Sequence, residues 1–232
     1  MIRWSSRVSG PRSYAALIFD LDGTLVDSSR DLASAVNAAL ADLELPTRTL
    51  AEVLAFVGDG VRELVTRALP ANRHDLIEEA LARFERHYRR GLLDQTQPYP
   101  GIPDLLRQLG AMPLAIATNK LEKLSRRIVD GVDLASHFRK IVGGDSLPVR
   151  KPDPQIVLTI AADLGVRPEN TLLVGDGVQD IEAARSAGAV SCGAGWGYRG
   201  AEILVAAGAD VVIDAPAELL SVVAERELRE ME

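Results

Sequence analysis

Short continuous apolar runs recur along this chain, most of them closed by Gly, Asp or Asn and followed by a stretch of helical period. They stand at residues 15–19 (AALIF), 114–117 (LAIA), 141–142 (IV), 172–174 (LLV), 189–192 (AVSC) and 211–213 (VVI). An apolar run without polar alternation must be covered on both faces, and strands that alternate with helices pair in parallel, because the crossover needs a dozen or more residues. The pattern predicts an α/β fold: a Rossmann-like core with a parallel sheet and helices on both faces.

One region breaks the alternation. Between Ser29 and Leu93 the sequence offers no strand. Leu32, Val36, Ala39, Leu40 and Leu43 follow a helical period, Leu64, Val65, Ala68 and Leu69 continue it, and Leu76, Ile77, Ala80, Leu81 and Phe84 make a third amphipathic stretch. This predicts a small all-helical domain over 29–94, inserted after the first strand of a core formed by 15–28 and 95–232. Pro98, Pro100 and Gly101 mark the return. Two linker passes between the domains permit hinge closure. Residues 1–14 are expected to form a flexible extension, with Arg and Ser, no acid and no apolar secretory core.

The net charge of −7 argues against a nucleic-acid partner and a polybasic membrane anchor, while a local cluster of metal and lysine still admits a small anionic substrate. A single cysteine, Cys192, excludes an intrachain disulfide and suits a reducing compartment, so the cytoplasm is expected. Three scattered histidines make no zinc site. No apolar run approaches the ~20 residues of a membrane-spanning helix.

Four polar motifs fall where strands meet loops. Asp20-Leu21-Asp22-Gly23-Thr24 ends the first strand, at the sheet edge where ligands of parallel α/β folds sit. Alternation puts Asp20 and Asp22 on one side. Carboxylates that close repel unless a cation lies between them or one is protonated. Gly23 permits a sharp turn, and the Thr24 hydroxyl is expected to hold the second carboxylate, Asp22. Gly175-Asp176-Gly177-Val178-Gln179-Asp180 follows the run 172–174. It partly matches a dinucleotide-binding glycine motif, but Asp180 occupies the last glycine position and two acids would face a pyrophosphate. A hard cation explains the carboxylates better. A helix cap would account for one Asp and not both. Thr118-Asn119 after 114–117 and Lys151-Pro152 could each be an ordinary cap or turn alone. In order between the acidic motifs, they read as phosphate-binding groups.

This ordered set resembles the aspartate-nucleophile phosphatase branch of the haloacid dehalogenase superfamily, from residue 15 onward. The acid at Asp22 sets aside the carbon–halogen and phosphonate-cleaving branches. The segments GGDSLPVRKPDP (143–154), FVGDGVRELVTRAL (56–69), TNK (118–120) and the tail at 201–220 are similar to bacterial phosphoglycolate phosphatases. The helical insert matches that family's cap. There the loop Gly58-Asp59-Gly60 is either a plain helix-to-helix turn or a place where backbone N–H groups meet a small anionic substrate.

The resemblance implies a Mg²⁺-dependent phosphomonoesterase, with 2-phosphoglycolate as substrate and an aspartyl-phosphate intermediate. Asp20 would be the nucleophile and Asp22 the general acid/base. The metal would be held by Asp20, the Asp22 carbonyl and Asp176, with Asp180 behind them. Thr118, Asn119 and Lys151 would bind the phosphoryl oxygens. Alternatives are a related phosphatase for a sugar phosphate or pyrophosphate, and a phosphomutase that returns the phosphoryl group to a sugar. The expected partners are a small phosphorylated substrate, no nucleic acid and no membrane, in a monomer or homodimer.

Overall fold

A run such as Ala16–Phe19 has no polar side chain to turn toward water, so it becomes a strand only inside a sheet covered on both faces. The computed structural model, which describes residues 2–6, 8 and 14–224, places the apolar runs in that way. The strands are β1 (Arg3–Trp4), β2 (Ala16–Phe19), β3 (Val26–Asp27), β4 (Gln97–Pro98), β5 (Leu114–Ala117), β6 (Lys140–Val142), β7 (Thr171–Gly175), β8 (Val190–Ala194) and β9 (Val211–Ile213). Seven of them form one sheet in the order β1-β9-β8-β7-β2-β5-β6. Its neighbours run parallel, except β1 against β9.

Opposite sides of the strands meet different partners. Ile18, Ala115 and Leu173 pack with Ile156 and Ile160 of the helix Gln155–Asp163 and Ala183 of the helix Val178–Ser186. The alternate residues Leu17, Phe19, Leu114 and Ile116 are buried as well, and the Phe19 ring meets Phe138 edge-on at 6.2 Å. Each such large side chain contributes about 1.5–3 kcal/mol by leaving water.

The chain forms β2, steps outward through β5 to β6, then returns to the other side of β2 for β7, β8 and β9. The winding direction therefore reverses between β2 and β7. The loops that leave their carboxyl ends diverge there and open a crevice, the place where ligands bind in open α/β sheets.

Two residues of the expected flexible extension form a strand. Arg3 and Trp4 pair with Val212 and Val211 at the sheet edge. The edge strand offers unpaired backbone groups, and Arg3 adds a two-pronged ion pair to Asp214 at 2.9 and 3.1 Å. Positions 1, 7 and 9–13 of the extension lie outside the described residues.

The chain divides into two compact units, Met1–Leu25 with Pro98–Glu232, and Val26–Gln97. The second is built from α1 (Ser29–Ala41), α2 (Leu50–Phe56), α3 (Val61–Ala68) and α4 (Ile77–Arg90). Leu32, Val36 and Leu40 of α1 and Ala80, Phe84 and Tyr88 of α4 are buried, with Phe84 and Tyr88 stacked at 5.3 Å. Thr49 and Glu52 cap α2 reciprocally. Buried Asp31 accepts hydrogen bonds from the Thr96 N–H at 2.8 Å and hydroxyl at 2.7 Å, which ties the returning segment to α1. The unit is slightly wider than 29–94, because β3 and β4 pair with each other where the chain leaves and returns.

Candidate active site

Asp20 is the first residue beyond β2, and its N–H donates to the Val174 carbonyl of β7 at 2.8 Å. That bond fixes the Asp20 backbone at the point of reversal. Asp176 is the first residue beyond β7. Both side chains are buried, and with Asp180 they bring a carboxylate oxygen each to within 4.8 Å of one another.

One ammonium serves this group. Lys151 Nζ donates to Asp20 Oδ1 at 2.8 Å, to Asp180 Oδ1 at 2.5 Å and to the Ala117 carbonyl at 2.6 Å. Those three acceptors match the three donors of an ammonium. The Lys151 side chain is 1% exposed. It follows Arg150, precedes a cis peptide bond to Pro152, and its carbonyl accepts from the Asn119 amide at 2.9 Å. Asn119 thus braces the lysine loop from the end of β5. Asp180 accepts from Lys151 at Oδ1 and from the Gly177 N–H at Oδ2 at 2.9 Å, so it caps the helix Val178–Ser186 while it orients the lysine.

The charges are unbalanced toward the negative. Burial pushes the Asp20 carboxyl up to about 7; Lys151 opposes the rise, and Asp180 and Asp22 add to it. Burial, then Asp20 and Asp180, hold Asp176 well above the usual carboxylate range, against the hydrogen bonds from the Tyr198 N–H and Thr24. Burial alone would lower the Lys151 ammonium, but Asp180 and Asp20 outweigh it and hold it above its ordinary value. A buried set of hard oxygen donors short of positive charge suits a divalent cation. On that ground the residues present fit a metal.

The Asp20 and Asp22 carboxylates meet different lysines. Lys151 serves Asp20, and Asp22 Oδ2 accepts from Lys120 Nζ at 2.7 Å. Thr24 also departs from expectation. Its hydroxyl reaches Asp176 Oδ1 at 3.2 Å, not Asp22, because Gly23 turns the chain with φ +84° toward β7. Sequence reasoning missed Lys120 as a partner of Asp22. It also gave no part to the loop Gly195-Trp196-Gly197. In fact Tyr198 N–H donates to Asp176 Oδ2 at 2.8 Å, and Trp196 Nε1 donates to the Thr24 carbonyl at 3.0 Å. The signal available was a glycine-flanked Trp directly after a buried strand.

Two glycines let these loops converge. A Cβ on Gly23 would lie 2.3 Å from Asp176 Oδ2, and one on Gly197 would lie 2.2 Å from Asp176 Cβ. Gly23→Ala combines that clash with a left-handed backbone. It is expected to cost about 1–3 kcal/mol and to displace Asp176. Urea denaturation and kcat/KM check this together; parental values of both would show that the loop has room.

Asp20, Asp22, Thr118, Asn119, Lys151, Asp176 and Asp180 are therefore gathered at one sheet edge. The Thr118 hydroxyl accepts from the Lys120 N–H at 3.2 Å. Gly58 and Gly60 lie apart in sequence, in the helical unit. There they connect α2 to α3 with positive φ, and Arg67 holds Asp59 between them at 2.6 Å.

The family model for haloacid dehalogenase-like hydrolases matches residues 17–194, which span β2 to β8 and every motif of the core site. The chain belongs to that family. It is 42% identical over 211 residues to the phosphoglycolate phosphatase of Chromobacterium violaceum, covering 88% of this chain and 94% of that one. It is 41% identical over 184 residues to the phosphoglycolate phosphatase of Aquifex aeolicus, covering 78% and 85%. Among solved structures, a protein from Haemophilus somnus 129PT described as a predicted phosphoglycolate phosphatase superposes with a TM-score of 0.86 at 32% identity, covering 92% of this chain and 99% of that one. The chain is thus an enzyme, a hydrolase whose curated relatives are phosphatases. Among the described residues no helix is long and apolar enough to cross a membrane.

Proposed function

We propose that this hydrolase is a Mg²⁺-dependent phosphomonoesterase that converts 2-phosphoglycolate and water to glycolate and phosphate. The observation that carries the reading is the Asp20 carboxylate at the reversal point, hydrogen-bonded to Lys151 and grouped with Asp176 and Asp180. The substrate is taken from the relatives that carry that name.

Asp20, the Asp22 carbonyl and Asp176 would hold the metal. Bound there, it supplies positive charge that lets an anionic nucleophile approach an anionic phosphoryl group. One Asp20 oxygen attacks phosphorus, the bond to the glycolate oxygen breaks, and Asp22 gives that oxygen its proton. Water then attacks the aspartyl-phosphate, Asp22 takes its proton, and the Asp20–phosphorus bond breaks to release phosphate. Lys151 holds Asp20 in line and, with Thr118 and Asn119, meets the phosphoryl oxygens. Asp180 keeps Lys151 in place.

The test is phosphate release from 2-phosphoglycolate with Mg²⁺ and with EDTA, beside sugar phosphates and pyrophosphate. Release that needs Mg²⁺ and prefers 2-phosphoglycolate is expected. Preference for another ester overturns the substrate. Formation of a sugar-phosphate isomer without free phosphate overturns the hydrolysis.

A further inference from the structure

Lys120 has no place in the reaction described so far, yet it is built into the site. It follows Thr118 and Asn119 beyond β5, and its ammonium meets Asp22 Oδ2 at 2.7 Å with the two side chains only 8% and 11% exposed. Its backbone is pinned on both sides. The Lys120 N–H donates to the Thr118 hydroxyl, and its carbonyl accepts from the Gly144 N–H at 2.8 Å. The approach of that second segment is close: a Cβ on Gly144 would lie 2.4 Å from the Asn119 carbonyl oxygen. Fixing a lysine side chain costs rotamer freedom, and its desolvation adds to that. An exposed lysine avoids both costs. Here the chain positions an ammonium on one particular oxygen of one particular carboxylate.

We propose that Lys120 is a positioning residue for Asp22. It holds the carboxyl group in the rotamer from which Asp22 serves the leaving oxygen and, later, the attacking water. The inference rests on the acid/base role proposed above for Asp22. A surface ion pair would leave catalysis unchanged. A contact to the phosphoryl group would affect every phosphate ester alike. A positioning residue for a general acid has a different signature, because its effect depends on whether the leaving group needs a proton. An alkoxide needs one to depart, whereas p-nitrophenolate departs without one.

The experiment compares Lys120→Met, Lys120→Arg and Asp22→Asn with the parent, each saturated with Mg²⁺. Single-turnover rates of the first bond cleavage are measured for 2-phosphoglycolate and for p-nitrophenyl phosphate. Lys120→Met is expected to raise the ratio of aryl to alkyl rate by about 10²-fold, the lower range of general acid–base assistance. The loss should fall in kcat rather than KM, and Lys120→Arg should restore part of it. Lys120→Gln serves as the neutral variant if the Met side chain does not hold the fold. Equal losses on the two esters, or a loss confined to KM, overturn the proposal in favour of a direct substrate contact. Asp22→Asn separates this failure from the wider one. If it raises the ratio and Lys120→Met does not, Asp22 is the acid and Lys120 does not position it. If Asp22→Asn leaves the ratio at the parental value, the acid role itself fails.

Discussion

Asp20→Asn is expected to lower the steady-state rate by about 10⁴-fold or more, because an amide supplies no anionic oxygen to attack phosphorus. The fold should not suffer, and the electrostatics give the sign. In the folded chain burial keeps the Asp20 proton up to about 7, against 3.8 in the unfolded chain. Between those values the folded state binds more protons than the unfolded one, so stability falls as pH rises through the window. Above it, the folded chain carries a buried carboxylate that water would accommodate better. Asn removes that titration. Asp176 is raised as well and remains in the variant, so the pH dependence should shrink rather than vanish. In EDTA, the urea midpoint of the parent should fall more between pH 5 and pH 8 than that of Asp20→Asn. Turnover near the parental rate, in a sample shown by mass to be free of deamidation, would refute the nucleophile assignment.

Much of the fold was legible because the sheet is buried on both faces. β2, β5, β7 and β9 stand in the sequence as unbroken apolar runs, and the helical stretches between them fix parallel pairing. β1 was not legible. Arg3-Trp4 lies in a basic, polar segment, and what makes it a strand is the free edge of β9 together with Asp214, which is distant in sequence. The site divides along the same line. Its acids and Lys151 show as local motifs at strand ends. Which group meets which does not, because that depends on how separate loops converge. The Thr24 hydroxyl turned to Asp176 rather than Asp22 because Gly23 reverses the backbone. Tyr198 reaches Asp176 only because Gly197 lets its loop approach. Lys120 reads as one more polar residue after Thr118 and Asn119 until the loop after β2 is laid beside it.

Lys151→Met tests the electrostatic core of the site. Removing one partner of a buried ion pair costs about 3–5 kcal/mol, because the other charge is left uncompensated. Here two carboxylates lose their shared ammonium, and the Ala117 carbonyl loses a donor. Asp20 has a way to escape part of that cost, since it can take up a proton. Lys151 opposes the upward shift of the Asp20 carboxyl, so its removal moves that carboxyl further above 7. At pH 5 Asp20 is then neutral in parent and variant alike, and the cost is smaller. At pH 8 the parent keeps a paired carboxylate while the variant must bind a proton or bury an unpaired charge. The stability gap in EDTA should therefore widen from pH 5 to pH 8 and approach the full 3–5 kcal/mol at the upper end. Activity should drop by about 10²–10³-fold, the usual effect of losing one preorganised donor to a reacting group. Lys151→Arg should not restore it, because a planar guanidinium does not fit where the side chain is 1% exposed among three acceptors. Urea denaturation at the two pH values decides the matter. A gap of constant size would mean that the lysine stem supports its loop by packing, and that Asp20 and Asp180 do not depend on its charge.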